Sequence, residues 1–310
     1  MYLYITTRSE TEKELIKAEC YAITGANPDD NGIAIIDKPF NIDISKSAYI
    51  KTCLKIITHA NDINDLYAQL DNLSLNSHRF RISVVKIPKK LEVDSQKVMH
   101  EVGARVEGNP DLSDPKTTFI VVITRDDVWF GEVLSESIKT WDEHIHKAQQ
   151  YSSALPTRLA RAMINLVASP NDKIIDPCCG SGTILIEAIS MGIKAFGCDN
   201  NLLMVQASIN NLRHFGINTM VALADARNIK GKFDAVVTDL PYGKNCPIDD
   251  KTCFEILDNL PNLALKSAIV TGLDISDLFM KVGYKKITVI PVPKGSLVRY
   301  IHVAYIIPDI

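Results

Sequence analysis

The sequence predicts an α/β protein: a mostly parallel seven-stranded sheet in the C-terminal half, closed by an antiparallel hairpin and preceded by a smaller α+β region. Three observations carry this reading. From residue 156 onward, short Ile- and Val-rich runs alternate with stretches of helical period, as expected of strands buried on both faces and joined by crossover helices. The last two runs, 284–291 and 297–307, have only a Pro- and Gly-containing turn between them, which leaves no room for a helix and makes them antiparallel. Finally, Asp176-Pro177-Cys178-Cys179-Gly180-Ser181-Gly182-Thr183 joins one such run to a helix through a glycine turn. There the backbone can press against a ligand and aim helix amides at an anion.

In chain order, Tyr2–Thr6 reads as a strand, followed by a helix with Leu15, Ile16, Ala18 and Tyr21 on one face and Ser9 with Glu12 as a capping box. Gly32–Asp37 opens a strand. Ala48–Ala60 has helical spacing (Ile50, Cys53, Leu54, Ile57), and Ile63–Leu70 reads as a further short helix. Arg79–Ile87 is expected as a strand and Ser95–Val106 as a helix. Asn109–Pro115 is expected as a turn-rich connector, and 118–124 with 128–131 as a hairpin. Residues 132–155 are polar, with Trp141, His144, His146, Lys147 and Tyr151 scattered through them, and read as a linker. His144 and His146, two positions apart, do not make a metal pair. Pro156–Ala168 is a helix with Leu159, Ala160, Met163, Ile164 and Val167 in one stripe. Strands are expected at 173–176, 194–198, 219–223, 233–238 and 266–271 before the terminal pair.

Composition narrows the function classes. A net charge of −3 does not suit a bulk basic polymer binder, so any nucleic-acid site must be a local patch. No apolar run is long enough for a membrane span, and the N-terminus reads as a strand, so a cytoplasmic protein with no membrane association is expected. The seven cysteines show no Cys-x-x-Cys spacing, which argues against zinc and a disulfide framework, and no metal is expected.

The glycine turn narrows the ligand. Position 185 is Leu where a dinucleotide fold would place its third glycine, and no Gly-Lys-Ser/Thr follows. Asp176, Asp199 and Asp225 sit at the ends of three consecutive expected strands, where open α/β sheets bind ligands. The strand series with this Asp-x-x-x-Gly-x-Gly turn resembles the class I S-adenosylmethionine methyltransferases, with a Rossmann-like fold. That resemblance implies S-adenosyl-L-methionine as cofactor, bound by Asp176, Cys178, Gly180, Gly182, Thr183, Asp199, Asn200, Asp225 and Ala226. Asp176 would face its amino group, Asp199 its ribose, and Asp225 with Ala226 its adenine. After the fourth expected strand, Asp239-Leu240-Pro241-Tyr242 resembles the Asp/Asn-Pro-Pro-Tyr/Phe motif of methyltransferases acting on planar amines, with Leu240 replacing the first proline. These four are the expected catalytic residues. Tyr242 occupies the place where a cytosine-C5 enzyme commonly carries its nucleophilic cysteine.

In the N-terminal half, Phe80-Arg81-Ile82, Asn109-Pro110-Asp111, Phe119–Ile123 and Trp129-Phe130-Gly131 resemble the THUMP domain of RNA-modifying enzymes, preceded by a ferredoxin-like segment. That implies phosphate contacts from Arg79, Arg81, Lys86, Lys89, Lys90 and Lys97. The implied partition is 1–55 ferredoxin-like, 56–134 THUMP, 135–155 linker and 156–310 methyltransferase. Together the two resemblances point to the archaeal-type THUMP tRNA guanine-N2 methyltransferases, acting on a guanosine near position 10 to give N2-methyl- or N2,N2-dimethylguanosine. They imply tRNA as partner, a monomer, and scope for a small activator subunit. The alternatives are a related enzyme for another tRNA guanosine or for rRNA, and a catalytically silent RNA-binding subunit. Protein-glutamine methylation, a further option, pairs with Asn at position 239 and has no use for the N-terminal half.

Overall fold

The structure is a computed structural model that describes residues 1–241, 249–295 and 297–306. The chain divides into two compact units, neither continuous in sequence. The first comprises residues 1–8, 24–45 and 50–137; the second comprises 9–23, 46–49 and 138–310. Residues 138–155, which read as a linker, group with the second unit.

The first unit is built on a mixed seven-stranded sheet of order β2-β1-β3-β7-β6-β4-β5, made from β1 (Tyr2–Thr6), β2 (Ile33–Ile36), β3 (Ile50–Ala60), β4 (Leu75–Lys86), β5 (Val106–Pro110), β6 (Thr117–Ile123) and β7 (Val128–Glu136). Contacts of β4 with β5 and β6 are parallel and the others antiparallel. Helices α2 (Ile63–Asp71) and α3 (Ser95–Gly103) bury Leu66, Leu70, Val98 and Val102 against Phe80, Phe119 and Phe130. Each starts on an aspartate cap, Asp62 and Asp94, that accepts two first-turn amides.

Two expectations fail in this unit. Ile50–Ala60 is a central strand between β1 and β7, not a helix. Register shifts at Cys53/Leu54 and Ile56/Thr58 break its two-residue alternation, so the buried positions imitate a helical period. Helix α3 ends at Gly103, and part of the expected connector is edge strand β5, where Pro110 needs no ladder partner for its nitrogen.

The second unit carries the sheet β10-β9-β8-β11-β12-β14-β13, with β8 (Lys173–Asp176), β9 (Lys194–Asp199), β10 (Val221–Leu223), β11 (Ala235–Asp239), β12 (Lys266–Thr271), β13 (Lys286–Lys294) and β14 (Leu297–Tyr305). The first five strands are parallel; β14 pairs antiparallel with β12 and with β13, as expected of the terminal hairpin. Helices α4 (Thr157–Val167), α5 (Thr183–Ser190), α6 (Leu202–His214), α7 (Asp250–Leu263) and α8 (Ser276–Lys281) complete it. The α4 stripe of Leu159, Ala160, Met163, Ile164 and Val167 is buried in one cluster with Ile174, Ile184, Leu185, Val237 and Val270. Each large side chain so buried contributes about 1.5–3 kcal/mol.

Helix α1 (Lys13–Thr24) lies almost wholly in this second unit: Leu15 and Ile16, with Ala48 and Tyr49, join the α4 cluster. Its Glu19, fully buried, accepts from Ser47 Oγ (2.8 Å), the amides of Ala48 (2.7 Å) and Tyr49 (2.8 Å), and Asn165 Nδ2 (2.7 Å). Burial raises its pKa against those hydrogen bonds. The expected capping box does not form, because Ser9 Oγ pairs with Thr11 Oγ1 and Glu12 accepts from the Tyr49 hydroxyl.

Candidate active site

Strand order reverses between β8 and β11, which pair directly, and the crevice beyond their carboxyl ends is where such sheets take ligands. Asp176 ends β8 and Asp239 ends β11, and both line a cavity of about 590 Å³. Asp199, Asn200, Asp225, Ala226, Leu240 and Pro241 line it too, with Cys178, Gly180 and Thr183. Gly182 is not among the lining residues; it acts behind them. Tyr242 lies outside the described residues.

Asp176 is 1% exposed, and its Oδ1 accepts from Thr238 Oγ1 (2.7 Å) and the Cys178 amide (3.2 Å). Desolvation pushes its pKa up to about 8, and the charges of Asp239 and Asp199 push the same way. A buried carboxyl so destabilised as an anion is suited to receive a cation.

The turn after it is pinned from several sides. Cys179 N donates to Cys198 O (2.9 Å), Gly182 N to Cys179 O (2.8 Å), and Gly180 N to Asp199 Oδ2 (2.9 Å). Gly182 has φ +84°, and a Cβ there would lie 2.5 Å from Ser208 Oγ of α6, so the start of α5 can approach α6 this closely only at glycine. Gly180 also has positive φ, but its missing Cβ would point into open space. Asn211 of α6 ties the turn to the preceding segment, donating from Nδ2 to Ser181 O and Gln149 O.

Asp199 ends β9; its Oδ1 accepts from Asn201 N (2.9 Å) while Oδ2 holds Gly180. Each oxygen keeps a second lone pair for a ligand hydroxyl. Asp225 follows β10 and is gripped by Arg227, whose Nη2 lies 2.6 Å from Oδ2 and whose Nη1 reaches Glu255 (2.8 Å). The guanidinium holds the Asp225 carboxyl below its usual range. Arg227 lines the cavity and was not anticipated from sequence.

Leu240 is buried, packed in the cluster that includes Ile175, Ala226, Ile256 and Leu257. Its amide donates to Val270 O of β12 (3.1 Å), a bond that proline at this position could not make. The departure from the two-proline motif therefore has a physical basis.

Among the described residues, no thiol at the cavity is set up as a nucleophile. Burial pushes Cys178 and Cys179 up, and Cys198 up to about 12, with Asp176 and Asp199 adding to each. Cys198 Sγ donates to Pro177 O.

Tyr151–Leu155, from the segment read as a linker, also line the cavity. Beside them, His144 and Lys147 are buried. His144 Nδ1 meets Glu187 Oε1 (2.7 Å), and Arg161, 2% exposed, donates from Nε to Glu187 Oε2 (2.8 Å). Arg161 also reaches Thr140 and Ser190, and stacks over Trp141.

The expected RNA-facing cations lie in the first unit and differ in state. Arg79 is held by Asp111 (3.0 Å) and by Asp114, while Asp111 Oδ1 accepts from Ser113 and Asp114; the Asn-Pro-Asp motif is thus a loop anchor. Lys86 Nζ donates to the carbonyls of Leu91 and Val93. Arg81 is half-buried, and Lys89, Lys90 and Lys97 are exposed. Among the described residues, no group of three or more His, Cys, Asp or Glu is placed to hold a metal, and no helix is long and apolar enough to cross a membrane.

Three carboxylates at successive strand ends around one cavity, with a glycine turn and an acidic strand end across the switch point, fit a ligand that joins an ammonium, a ribose and an adenine. The fold and the site define a class I S-adenosylmethionine-dependent methyltransferase. Residues 146–252 match the family described as UPF0020: RMKL-like, methyltransferase domain. The fold is shared with TrmN from Thermus thermophilus, whose crystal structure superposes with a TM-score of 0.50 at 18% identity over 99% of each chain. The chain is 32% identical to the tRNA (guanine(10)-N2)-dimethyltransferase of Methanothermobacter thermautotrophicus, over 69% of this chain and 68% of that one. It is 25% identical to the enzyme of the same name from Methanocaldococcus jannaschii, over 97% of this chain and 89% of that one. The chain belongs to this family of tRNA guanine-N2 methyltransferases.

Proposed function

We infer that the protein methylates the exocyclic N2 of a guanosine in the tRNA core, at position 10, and carries the reaction from one methyl group to two. The observation that carries this is the placement of Asp239 and Leu240 across the switch point from Asp176, in one cavity. When bound, S-adenosylmethionine supplies an electrophilic methyl group on a sulfonium. Asp176 would receive the ammonium of its methionine part, Asp199 the ribose hydroxyls, and Asp225 with the Ala226 amide the adenine. Cys178, Gly180, Thr183 and Asn200 form the remaining wall.

The chemical problem is the acceptor, because the guanine amine lone pair is delocalised into the ring. The Asp239 carboxylate and Leu240 carbonyl would accept the two N–H bonds, favouring a tetrahedral nitrogen whose lone pair is free to react. On transfer of that methyl group the nitrogen would give up a proton, and Asp239, already accepting from it, is the group placed to receive that proton. Alignment supplies most of the rate. Pro241 stiffens the turn, and Tyr242 provides the stacking face.

RNA phosphates are met by Arg81, Lys89, Lys90 and Lys97 of the first unit; Arg79 and Lys86 serve chiefly to hold the loops that present them. The protein acts as a monomer in the cytoplasm. Exposed Leu202, Leu203, Met220 and Leu223, beside edge strand β10, support a small activator subunit covering that edge. The test is transfer from labelled cofactor to tRNA transcripts with guanosine or inosine at position 10. Inosine lacks the amine, so equal labelling of both would overturn the assignment.

A further inference from the structure

The cofactor has an anionic end that none of the carboxylates above can hold. Its α-carboxylate must meet a donor set near the ammonium subsite, and the sequence motifs name none. Thr183 opens α5, whose Gly182 cap provides no side-chain acceptor for the first-turn amides. A bare helix N-terminus is a partial positive charge, yet Lys147, 9% exposed, brings its ammonium against it and donates to Thr183 Oγ1. Two positive features thus face each other in a buried place.

Glu187, one turn further along α5, does not neutralise that ammonium by direct pairing. Its two oxygens are taken by His144 and Arg161, and Thr183 Oγ1 is the hydrogen-bond acceptor of Lys147 among the described residues. Burial lowers the Lys147 pKa to about 8, with Glu187 opposing. A buried lysine paired with one neutral hydroxyl is costly unless an anion completes the site. Thr183 and Asp176 line the same cavity, on either side of the glycine turn.

Resting on the cofactor assignment, we propose that Lys147 and Thr183 form the subsite for the cofactor's carboxylate, with Lys147 as its positioning residue. The lysine occupies a lone pair of Thr183 Oγ1, which directs the hydroxyl proton away from it and toward the cavity. There the hydroxyl and the first amides of α5 donate to the carboxylate, and the ammonium supplies the compensating charge. Asp176 takes the amine and this subsite the acid, so the amino-acid end is gripped at both charges.

Calorimetric binding to the full chain separates this from a structural role. The probes are S-adenosylhomocysteine and its decarboxylated analogue, which keeps the amine and lacks the carboxylate. The wild type is expected to prefer the former by about 10- to 100-fold. Lys147→Met should erase most of that preference while leaving the decarboxylated analogue within about twofold; Thr183→Val should also erase the preference, and Thr183→Ser should keep it. Equal weakening of both nucleosides by Lys147→Met, or no change in the preference, overturns the proposal. Failure of the wild type to bind either nucleoside would instead overturn the cofactor assignment, and this inference with it.

Discussion

Asp176→Asn should stabilise the protein while disabling its cofactor site. The amide is isosteric and can still accept from Thr238 Oγ1 and Cys178 N, which both meet Oδ1. What it removes is a buried charge. The folded-state pKa rises from 3.8 to about 8, chiefly by desolvation. Between those values the folded chain holds a proton that the unfolded chain has released, so stability falls as pH rises through that window and levels off above it. A displacement of that size corresponds to roughly 6 kcal/mol at pH 9, and to about 1–2 kcal/mol at pH 5. Urea denaturation of both proteins at pH 5 and pH 9 should show Asp176→Asn gaining on the wild type by several kcal/mol between the two. Binding of an ammonium ligand reverses the sign, because it needs the ionised carboxylate. Wild-type binding of S-adenosylhomocysteine at pH 7 should release a proton from Asp176, detectable as a dependence of the calorimetric heat on buffer. The variant should bind about 100-fold more weakly, without that release. An Asp176→Asn protein no more stable than wild type at pH 9, or with unchanged affinity, would refute the reasoning.

Other substitutions probe separate parts of the account. Asp239→Ala should lower methyl transfer by about 10²- to 10³-fold in single-turnover assays while leaving cofactor affinity within about twofold, since it removes the proposed acceptor for the substrate amine. Loss of cofactor binding instead would contradict that role. Leu240→Pro restores the two-proline motif but removes the amide bond to Val270 O and much of a buried side chain; denaturation should report a loss of about 2–4 kcal/mol. Arg161→Met strips Glu187 of its guanidinium partner inside the core and should cost about 3–5 kcal/mol by the same measurement. A change under about 1 kcal/mol would show that His144 suffices.

The C-terminal half was legible because its physics is local. Strands buried on both faces read as apolar runs, and the acids that line the cavity fall at or just past their carboxyl ends, so Asp176, Asp199, Asp225 and Asp239 could be located by counting elements. Elsewhere the decisive contacts are distant in sequence. Bulges in Ile50–Ala60 disguised a strand as a helix. Helix α1 and residues 46–49 belong to the second unit through Glu19, a buried carboxylate whose partners at Ser47–Tyr49 and Asn165 have no sequence signature. For that reason removing residues 1–131 would strip the methyltransferase core of Leu15, Ile16, Ala48 and Tyr49, and point changes at Lys89, Lys90 and Lys97 are the sounder probe of RNA contact. Lys147 was hidden in the same way, a buried cation in a stretch whose polarity reads as solvent-exposed.

The most direct test of the central claim is nucleoside mass spectrometry of an unmodified tRNA transcript after incubation with the protein and S-adenosylmethionine. The account predicts N2-methylguanosine and then N2,N2-dimethylguanosine, both mapping to position 10 and both absent with Asp239→Ala. N6-methyladenosine, a methylated guanosine at another position, or label found only in protein would contradict it.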